Sequence, residues 1–373
     1  MSPVTGGLAG VVAGETAICT VGKDGAGLTY RGYDIAELAE HATFEEVAYL
    51  LVHGTLPSVA ELDRYRQRLG AMRELPSAVR AVIEIMPTDA NPMDVLRTVT
   101  SLLGTLEPEG AFDGQHRVAD RLLAVLPSAV AYWYRFHHDG VRIPTDTGEP
   151  STALHLLRGL RGEPVDPLCG RALDVTLILY AEHEFNASTF AARVAASTRT
   201  DKYSAVTAAI ATLKGPLHGG ANEEAMRLIE RFQTPDEAEH GVLEMLARRE
   251  RIMGFGHRVY RHSDPRSDIV KPWARRLTEA QGDTTAFAVA ERIESVMRRE
   301  RNLFPNLDFY TALVYRACGI PTELFTPVFV LARTAGWSAH VFEQRVADKL
   351  VRPTAAYVGP EPRPFVPIGE RSR

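Results

Sequence analysis

A helical periodicity that begins at Ile35 and continues almost to the end of the chain constrains the fold more than any other feature. "IAELAEHATFEEVAYLLVHG", residues 35–54, sets apolar residues three and four apart and is stopped by Gly54 and Pro57. "SVAELDRYRQRLGAMREL" and "PMDVLRTVTSLLGTL" repeat the pattern. Strands do not alternate with helices, so a doubly wound nucleotide-binding sheet is improbable and the expected class is all-α. The β-prone stretch comes earlier: residues 16–30, "TAICTVGKDGAGLTY", read as a short hairpin about a Gly/Asp turn.

Two helical stretches are apolar or small almost all round. "ALDVTLILYAEHEF" and "YSAVTAAIATLKG" therefore belong in a core or at a subunit interface. The Pro/Gly/Asp-rich stretch at 139–151 reads as a surface loop, and "VGPEPRPFVPIGERSR" as an extended, proline-rich tail. No internal repeat is present.

Composition excludes several function classes. The 373 residues, 45% of them hydrophobic and 24% charged, are those of an ordinary globular protein with room for two domains. A net charge of -5 argues against general nucleic-acid binding, so clustered cations must act locally. Cys19, Cys169 and Cys318 are widely spaced, without a CxxC pair, and are expected as small core residues rather than disulfides or zinc ligands. "MSPVTGGLAG" lacks the basic and apolar regions of a signal peptide, and no apolar run of about 18 residues exists. A cytoplasmic protein with no membrane partner is expected.

Chemistry concentrates in three segments. In "LKGPLHGGANEEAM", Gly215 and Pro216 end one helix, and Asn222 with Glu223 and Glu224 starts the next. His218 thus precedes a helix N-terminus, where the dipole disfavours imidazolium and suits a neutral hydrogen-bond donor; a loop histidine capping a turn is the plainer alternative. In "GFGHRVYRHSDPR" the sixth position from Gly254 is Val259, so this is no dinucleotide fingerprint. Bare glycines beside Arg258, Arg261 and Arg266 suit carboxylate or phosphate groups, and Arg299 and Arg301 in "MRRERNLFPN" add the same sign. In "NLFPNLDFYTALVY", Asp308 opens a helix. Its commonest use there is an N-cap; the functional alternative is a general base. His137 and His138 lack ligand-spaced partners. His183, followed by Glu184, has no second histidine at HExxH spacing, so metal hydrolysis fits poorly.

These three segments, in this order, resemble the citrate synthase family. The likeness spans nearly the whole chain and includes "LTYRGYDIAELAEHATFEEVAYLLVHGTLP", "AEHEFNASTFAARV", "FTPVFVLARTAGWSAHVFEQ" and "KLVRP". It implies an all-helical homodimer with a large domain (1–220 and 317–373) and a small lobe (221–316) that closes over the substrates. By resemblance, Asp308 removes a proton beside an acyl-CoA thioester, His218 hydrogen-bonds the enolate oxygen, and His257 polarises the keto group of oxaloacetate. His183, His257, Arg266 and Arg333 match positions that hold oxaloacetate, with Arg352 donated by the partner subunit. Arg251, Ile252, Met253, Gly254, Arg261, Arg299 and Arg301 fall where the family holds CoA. No metal or resident cofactor is implied, since the CoA thioester is a substrate.

Segments such as "AYWYRFHHDG", "TPDEAE" and "YVGPEPRPFV" look closer to the branch that uses propionyl-CoA to make 2-methylcitrate. One methylene is worth only about 1–3 kcal/mol of discrimination, so acetyl-CoA is expected as a second substrate. An acetyl-CoA-dependent enzyme is the alternative. A citryl-CoA lyase-type module and a non-catalytic CoA-binding scaffold are further readings, and intact His218, His257 and Asp308 argue against the scaffold.

Overall fold

Local capping sets the boundaries in this computed structural model, which describes residues 8, 11–22 and 27–371. Strands β1 (Cys19–Val21), β2 (Leu28–Tyr30) and β3 (Tyr33–Asp34) form an antiparallel sheet in the order β1-β2-β3. The expected hairpin is therefore present with a third short strand added, and part of its turn lies outside the described residues. The stretch 35–54, read as one helix, is two: α1 (Ile35–His41) and α2 (Phe44–His53). Thr43 and Glu46 form a capping box that restarts the chain, with Thr43 N–H donating to Glu46 Oε2 at 2.8 Å. Gly54 then ends α2 in the left-handed region at φ 90°.

Helices α3 (Val59–Ala71), α4 (Ser77–Ile85), α5 (Pro92–Leu106), α6 (Gln115–Asp139) and α7 (Thr152–Arg161) follow, with the expected loop between the last two. Next come α8 (Pro167–Tyr180), α9 (Ala187–Ser197) and α10 (Lys202–Leu213). The chain continues through α11 (Ala221–Glu230), α12 (Pro235–Ala247), α13 (Pro265–Ala280), α14 (Thr285–Arg301), α15 (Leu307–Ala317) and α16 (Phe325–Ala347). The tail beyond is exposed and extended except for one 3-10 turn at Ile368–Glu370.

The core is built on α16. Every residue from Phe325 to Phe342 is buried, and α2, α6, α8, α9 and α10 pack around it. Helix α8 is buried continuously from Ala172 to Tyr180, as its composition requires. Helix α10 is not: Ser204 and Ala211 are exposed within the single chain. The three cysteines are all buried. Helices α11 to α15 pack largely on one another, α13 on α15, α12 on α14 and α11 on both α14 and α15. They meet the rest of the chain chiefly through α1, α8, α16 and the 3-10 turn at Thr322–Leu324. Among the described residues no helix is long and apolar enough to cross a membrane.

Candidate active site

The candidate groups gather around α8, which packs on both α15 and α16, and each is aimed by a local feature of the chain. Asp308 comes first. The N-cap of α15 is Asn306, whose side chain accepts from Asp308 N–H at 3.1 Å. The capping role weighed for Asp308 is thus filled by another residue, and its carboxylate is free for chemistry. Tyr180, the last residue of α8, donates its hydroxyl to Asp308 Oδ1 at 2.6 Å. Burial pushes the Asp308 carboxyl up to about 6, against the Tyr180 hydrogen bond and the field of Arg266.

His218 follows α10 and precedes α11, which starts at Ala221 rather than at the expected Asn222. Its Nε2 accepts from Ser188 N–H at 3.2 Å, with Ser188 Oγ at 2.8 Å. That N–H lies in the first turn of α9, behind the Asn186 cap. A backbone N–H only donates, so Nε2 is the acceptor and the neutral ring carries its proton on Nδ1. Burial, then Arg333, pushes His218 down to about 4. Trp337 Nε1 donates to Ser188 Oγ at 3.2 Å and ties this unit to α16.

His257 is the mirror case. Its Nδ1 accepts from Val259 N–H at 3.1 Å and Tyr260 N–H at 3.2 Å, so its proton sits on Nε2. Burial, then Arg266, holds it at about 4. His183 packs edge-on against His257 with ring centroids 5.0 Å apart, and its Nε2 lies 3.2 Å from the Tyr260 hydroxyl. Burial drives His183 well below the usual imidazole range, with Arg266 adding to it.

Two buried guanidinium groups line the site. Arg266 makes a forked pair with Asp264, Nε to Oδ1 at 3.0 Å and Nη2 to Oδ2 at 2.8 Å. Burial opposes its charge, but Asp264 outweighs that and raises Arg266 above its ordinary range. Asp264 also caps α13 and accepts from Leu307 N–H at 3.1 Å, so one buried carboxylate joins Arg266 to the start of α15. Arg333, 1% exposed, donates Nε to the Tyr180 carbonyl at 2.6 Å. Its Nη1 has no hydrogen-bond partner among the described residues. Phe329 fills the remaining wall, with its ring 4.5 Å from those of Tyr180 and beneath the Arg333 guanidinium.

The glycines of "GFGH" have a local explanation. Gly254 and Gly256 lie at φ 87° and 73°, in the region that favours glycine. Phe255 bridges to Pro305, Gly256 N–H donates to the Phe304 carbonyl at 2.8 Å, and Asn306 N–H donates to the Gly254 carbonyl at 2.9 Å. The loop is zipped onto the segment entering α15, which couples His257 to Asp308. These contacts account for the bare backbone without an anion.

The outer cations differ from the inner ones. Arg251 and Arg261 are exposed, Ile252 and Gly254 are buried, and Met253 is half-buried. Arg299 is engaged with Glu239 and Glu300 at 2.9 and 2.7 Å, and Arg301 with the Leu246 carbonyl at 3.2 Å. Arg352 lies beyond α16 and is exposed. The site thus gathers His183, His218, His257, Arg266, Asp308 and Arg333. Tyr180, Ser188 and Asp264, which sequence reasoning did not single out, hold them in place.

Neutral imidazoles of opposite tautomer and a carboxyl poised near neutrality, set beside buried guanidinium groups, define the class: a helical enzyme equipped for acid–base chemistry. The family model for citrate synthase, C-terminal domain, matches residues 7–354, and the chain belongs to the citrate synthase family. It is 53% identical to a 2-methylcitrate synthase of Shewanella oneidensis over 98% of this chain and 97% of that one. It is 42% identical to citrate synthase 2 of Bacillus subtilis over 99% of both. Among solved structures it resembles citrate synthase from the thermophilic archaeon Thermoplasma acidophilum, in ternary complex with carboxymethyl coenzyme A and oxaloacetate. That likeness has a TM-score of 0.91 at 32% identity and covers 98% of each chain.

Proposed function

We propose that the protein condenses propionyl-CoA with oxaloacetate and water to give 2-methylcitrate and CoA, and that it also accepts acetyl-CoA. The observation that carries this reading is the pairing of a near-neutral Asp308 carboxyl with two neutral imidazoles of opposite tautomer. Asp308 takes a proton from the carbon beside the thioester, and His218 Nδ1–H hydrogen-bonds the resulting enolate oxygen. His257 Nε2–H polarises the keto oxygen of oxaloacetate, and the enolate carbon forms the new bond to the keto carbon. Water then cleaves the thioester, releasing CoA.

His183, Arg266 and Arg333 hold the dicarboxylate, with a buried, unpartnered Nη1 on Arg333 as one anchor. Guanidinium groups fixed from behind, Arg266 by Asp264 and Arg333 by the Tyr180 carbonyl, orient an anion as well as bind it, which sets the carbonyl in line for attack. Residues 221–316 form a lobe that closes over the substrates. CoA lies along Arg251, Ile252, Met253 and Gly254, with Arg261, Arg299 and Arg301 at its phosphates. Arg299 must exchange a carboxylate partner for phosphate on binding. Two chains pair, and Arg352 of each completes the other's site. Side-chain acids and bases supply the whole reaction, so no resident metal or cofactor is called for. The working compartment is the cytoplasm.

Relatives of both names lie close, so the acyl chain is the point to test. A pocket shaped for the extra methyl gains about 0.8 kcal/mol by burying it, while a shorter chain merely leaves a void. Steady-state CoA release at saturating oxaloacetate, with each thioester, decides it. The expected result is a higher kcat/KM with propionyl-CoA and measurable turnover with acetyl-CoA. A preference for acetyl-CoA by about tenfold or more would make the enzyme a citrate synthase instead.

A further inference from the structure

One face of α16 carries a series of contacts to the site. Arg333, Trp337 and His340 recur at helical spacing and share that face. Arg333 reaches the Tyr180 carbonyl and Trp337 reaches Ser188. His340, one turn further, places Nε2 at 2.9 Å from Glu182 Oε1, with both side chains at 0% exposure. Its Nδ1 lies 3.0 Å from Arg193 Nη1. A guanidinium only donates, so Nδ1 accepts and Nε2–H donates to Glu182. Arg193 is itself fixed by Glu343 Oε2 at 2.6 Å and by the Phe185 ring at 4.4 Å.

Glu182 is an expensive residue to bury. Its Oε2 has no hydrogen-bond partner among the described residues, and a half-satisfied buried carboxylate destabilises the fold. Its place in the chain suggests what offsets this. It stands between Tyr180, whose hydroxyl holds Asp308 and whose carbonyl holds Arg333, and His183. Of the fields that keep the buried Arg333 charged, that of Glu182 is the largest. Close approach of α16 to this segment needs Gly336, since a Cβ there would overlap both Glu182 Oε2 and the Ala181 carbonyl.

We infer that the His340–Glu182 pair is a positioning device for the keto-acid half of the site. It holds segment 180–183 in register with α16, so that His183 and Arg333 present their donors to one dicarboxylate. This rests on the condensation reading. The pair adjoins His183 and lies about two turns from Arg333 on α16, whereas Asp308 is reached only through Tyr180, so the effect is expected chiefly in the KM for oxaloacetate.

The test uses two polar replacements of His340. A glutamine amide nitrogen falls near the Nε2 position and still reaches Glu182; an asparagine amide falls near Nδ1, where it meets Arg193 and leaves Glu182 unheld. His340→Asn is expected to raise the KM for oxaloacetate about tenfold and leave that for acyl-CoA within about twofold, the size of a lost charge-assisted hydrogen bond. His340→Gln is expected to stay within about threefold of wild type in both. Equal effects of the two replacements, or an equal rise in both KM values, would overturn the inference. Should His340→Asn fail to fold, Glu182→Gln serves. A rise of about threefold in the KM for oxaloacetate, with that for acyl-CoA within about twofold of wild type, is the expected result. A fall would sink the inference. Wild-type enzyme that releases no CoA on adding oxaloacetate would sink the condensation reading and this inference with it; active wild type with matched variants would sink the inference alone.

Discussion

Tyr180 and Asp308 meet through a 2.6 Å hydrogen bond across the seam between α8 and α15, although 128 positions separate them in the chain. The hydroxyl stabilises the carboxylate form, while burial favours the acid. The pair therefore sets where the base becomes available. Tyr180→Phe removes a stabiliser of the charged form, so the Asp308 carboxyl rises further above 6. The acid limb of the pH–rate profile is expected to move upward, with less activity below pH 7 and little change above 8. An unmoved limb would mean that Asp308 is not the group being titrated.

The same profile tests the two tautomers. His218 and His257 are each held at about 4, so both rings are neutral throughout the range in which Asp308 ionises. Between pH 5 and 8 the acid limb should have a slope of one, reporting a single group. A slope of two, or a basic limb near 6.5 removed by His218→Gln, would show an imidazole changing charge within the working range.

Asp308→Asn is expected to abolish turnover and stabilise the protein at neutral pH. With its native value about 6 against 3.8 unfolded, the native state binds more protons between these values, so the ionised carboxyl opposes folding above them. The asparagine keeps an acceptor for Tyr180 and removes the charge. A gain of about 1–2 kcal/mol at pH 7, fading towards pH 4, is the expected size after allowing for partial exposure. Since Asn306 caps α15, no cap is lost. Denaturant unfolding at the two pH values checks the sign; a loss of stability at pH 7 would contradict it.

Gly254→Ala tests the loop that joins His257 to α15. The added Cβ would sit 2.9 Å from Phe309 Cδ2, at φ 87°, so strain and overpacking combine to about 2–4 kcal/mol. Gly70→Ala is the contrast: in α3, with nothing within 4 Å, it should stabilise by about 0.5–1 kcal/mol. Comparable losses at both positions would show that the zipped loop is not what makes Gly254 special.

Much of the site was legible because its chemistry comes in short contiguous runs. His218, His257 and Asp308 each sit beside their own turn or cap, and such signals are local. The break at Thr43 was also written locally, in the Thr-x-x-Glu box, although apolar spacing runs through it unbroken. Tyr180, Ser188 and Asp264 were not legible, since a tyrosine ending an apolar helix reads as core until its tertiary partner is known. Arg333 came from family resemblance alone; nothing in "VLART" separates a buried cation with a free Nη1 from a helix-surface arginine. The left-handed turns at Gly254 and Gly256 could not be read from the sequence, because an anion cradle and a left-handed turn call for the same residue.

Arg352 carries the last expectation. It follows α16 and is exposed in the single chain, unlike Arg266 and Arg333, the buried cations with which family resemblance groups it. Val351 N–H, just before it, is fixed to Ser197 Oγ at 3.0 Å, so the tail leaves the body of the molecule at this point. Supplying the cation to a second copy reconciles its family position with its exposure. Arg352→Ala and Asp308→Ala should each be inactive, yet mixing them, unfolding briefly and reassembling should restore activity. In a hybrid pair, one site takes both lesions and the other takes neither. Random pairing makes half of the dimers hybrid, so recovery should approach about one quarter of wild-type activity, one intact site in four, with catalysis otherwise unchanged. Labelled subunits verify that exchange has occurred. Activity that stays at the level of the single variants after verified exchange would assign Arg352 to its own subunit's site, and the tail would then have to fold back across α16 to reach it.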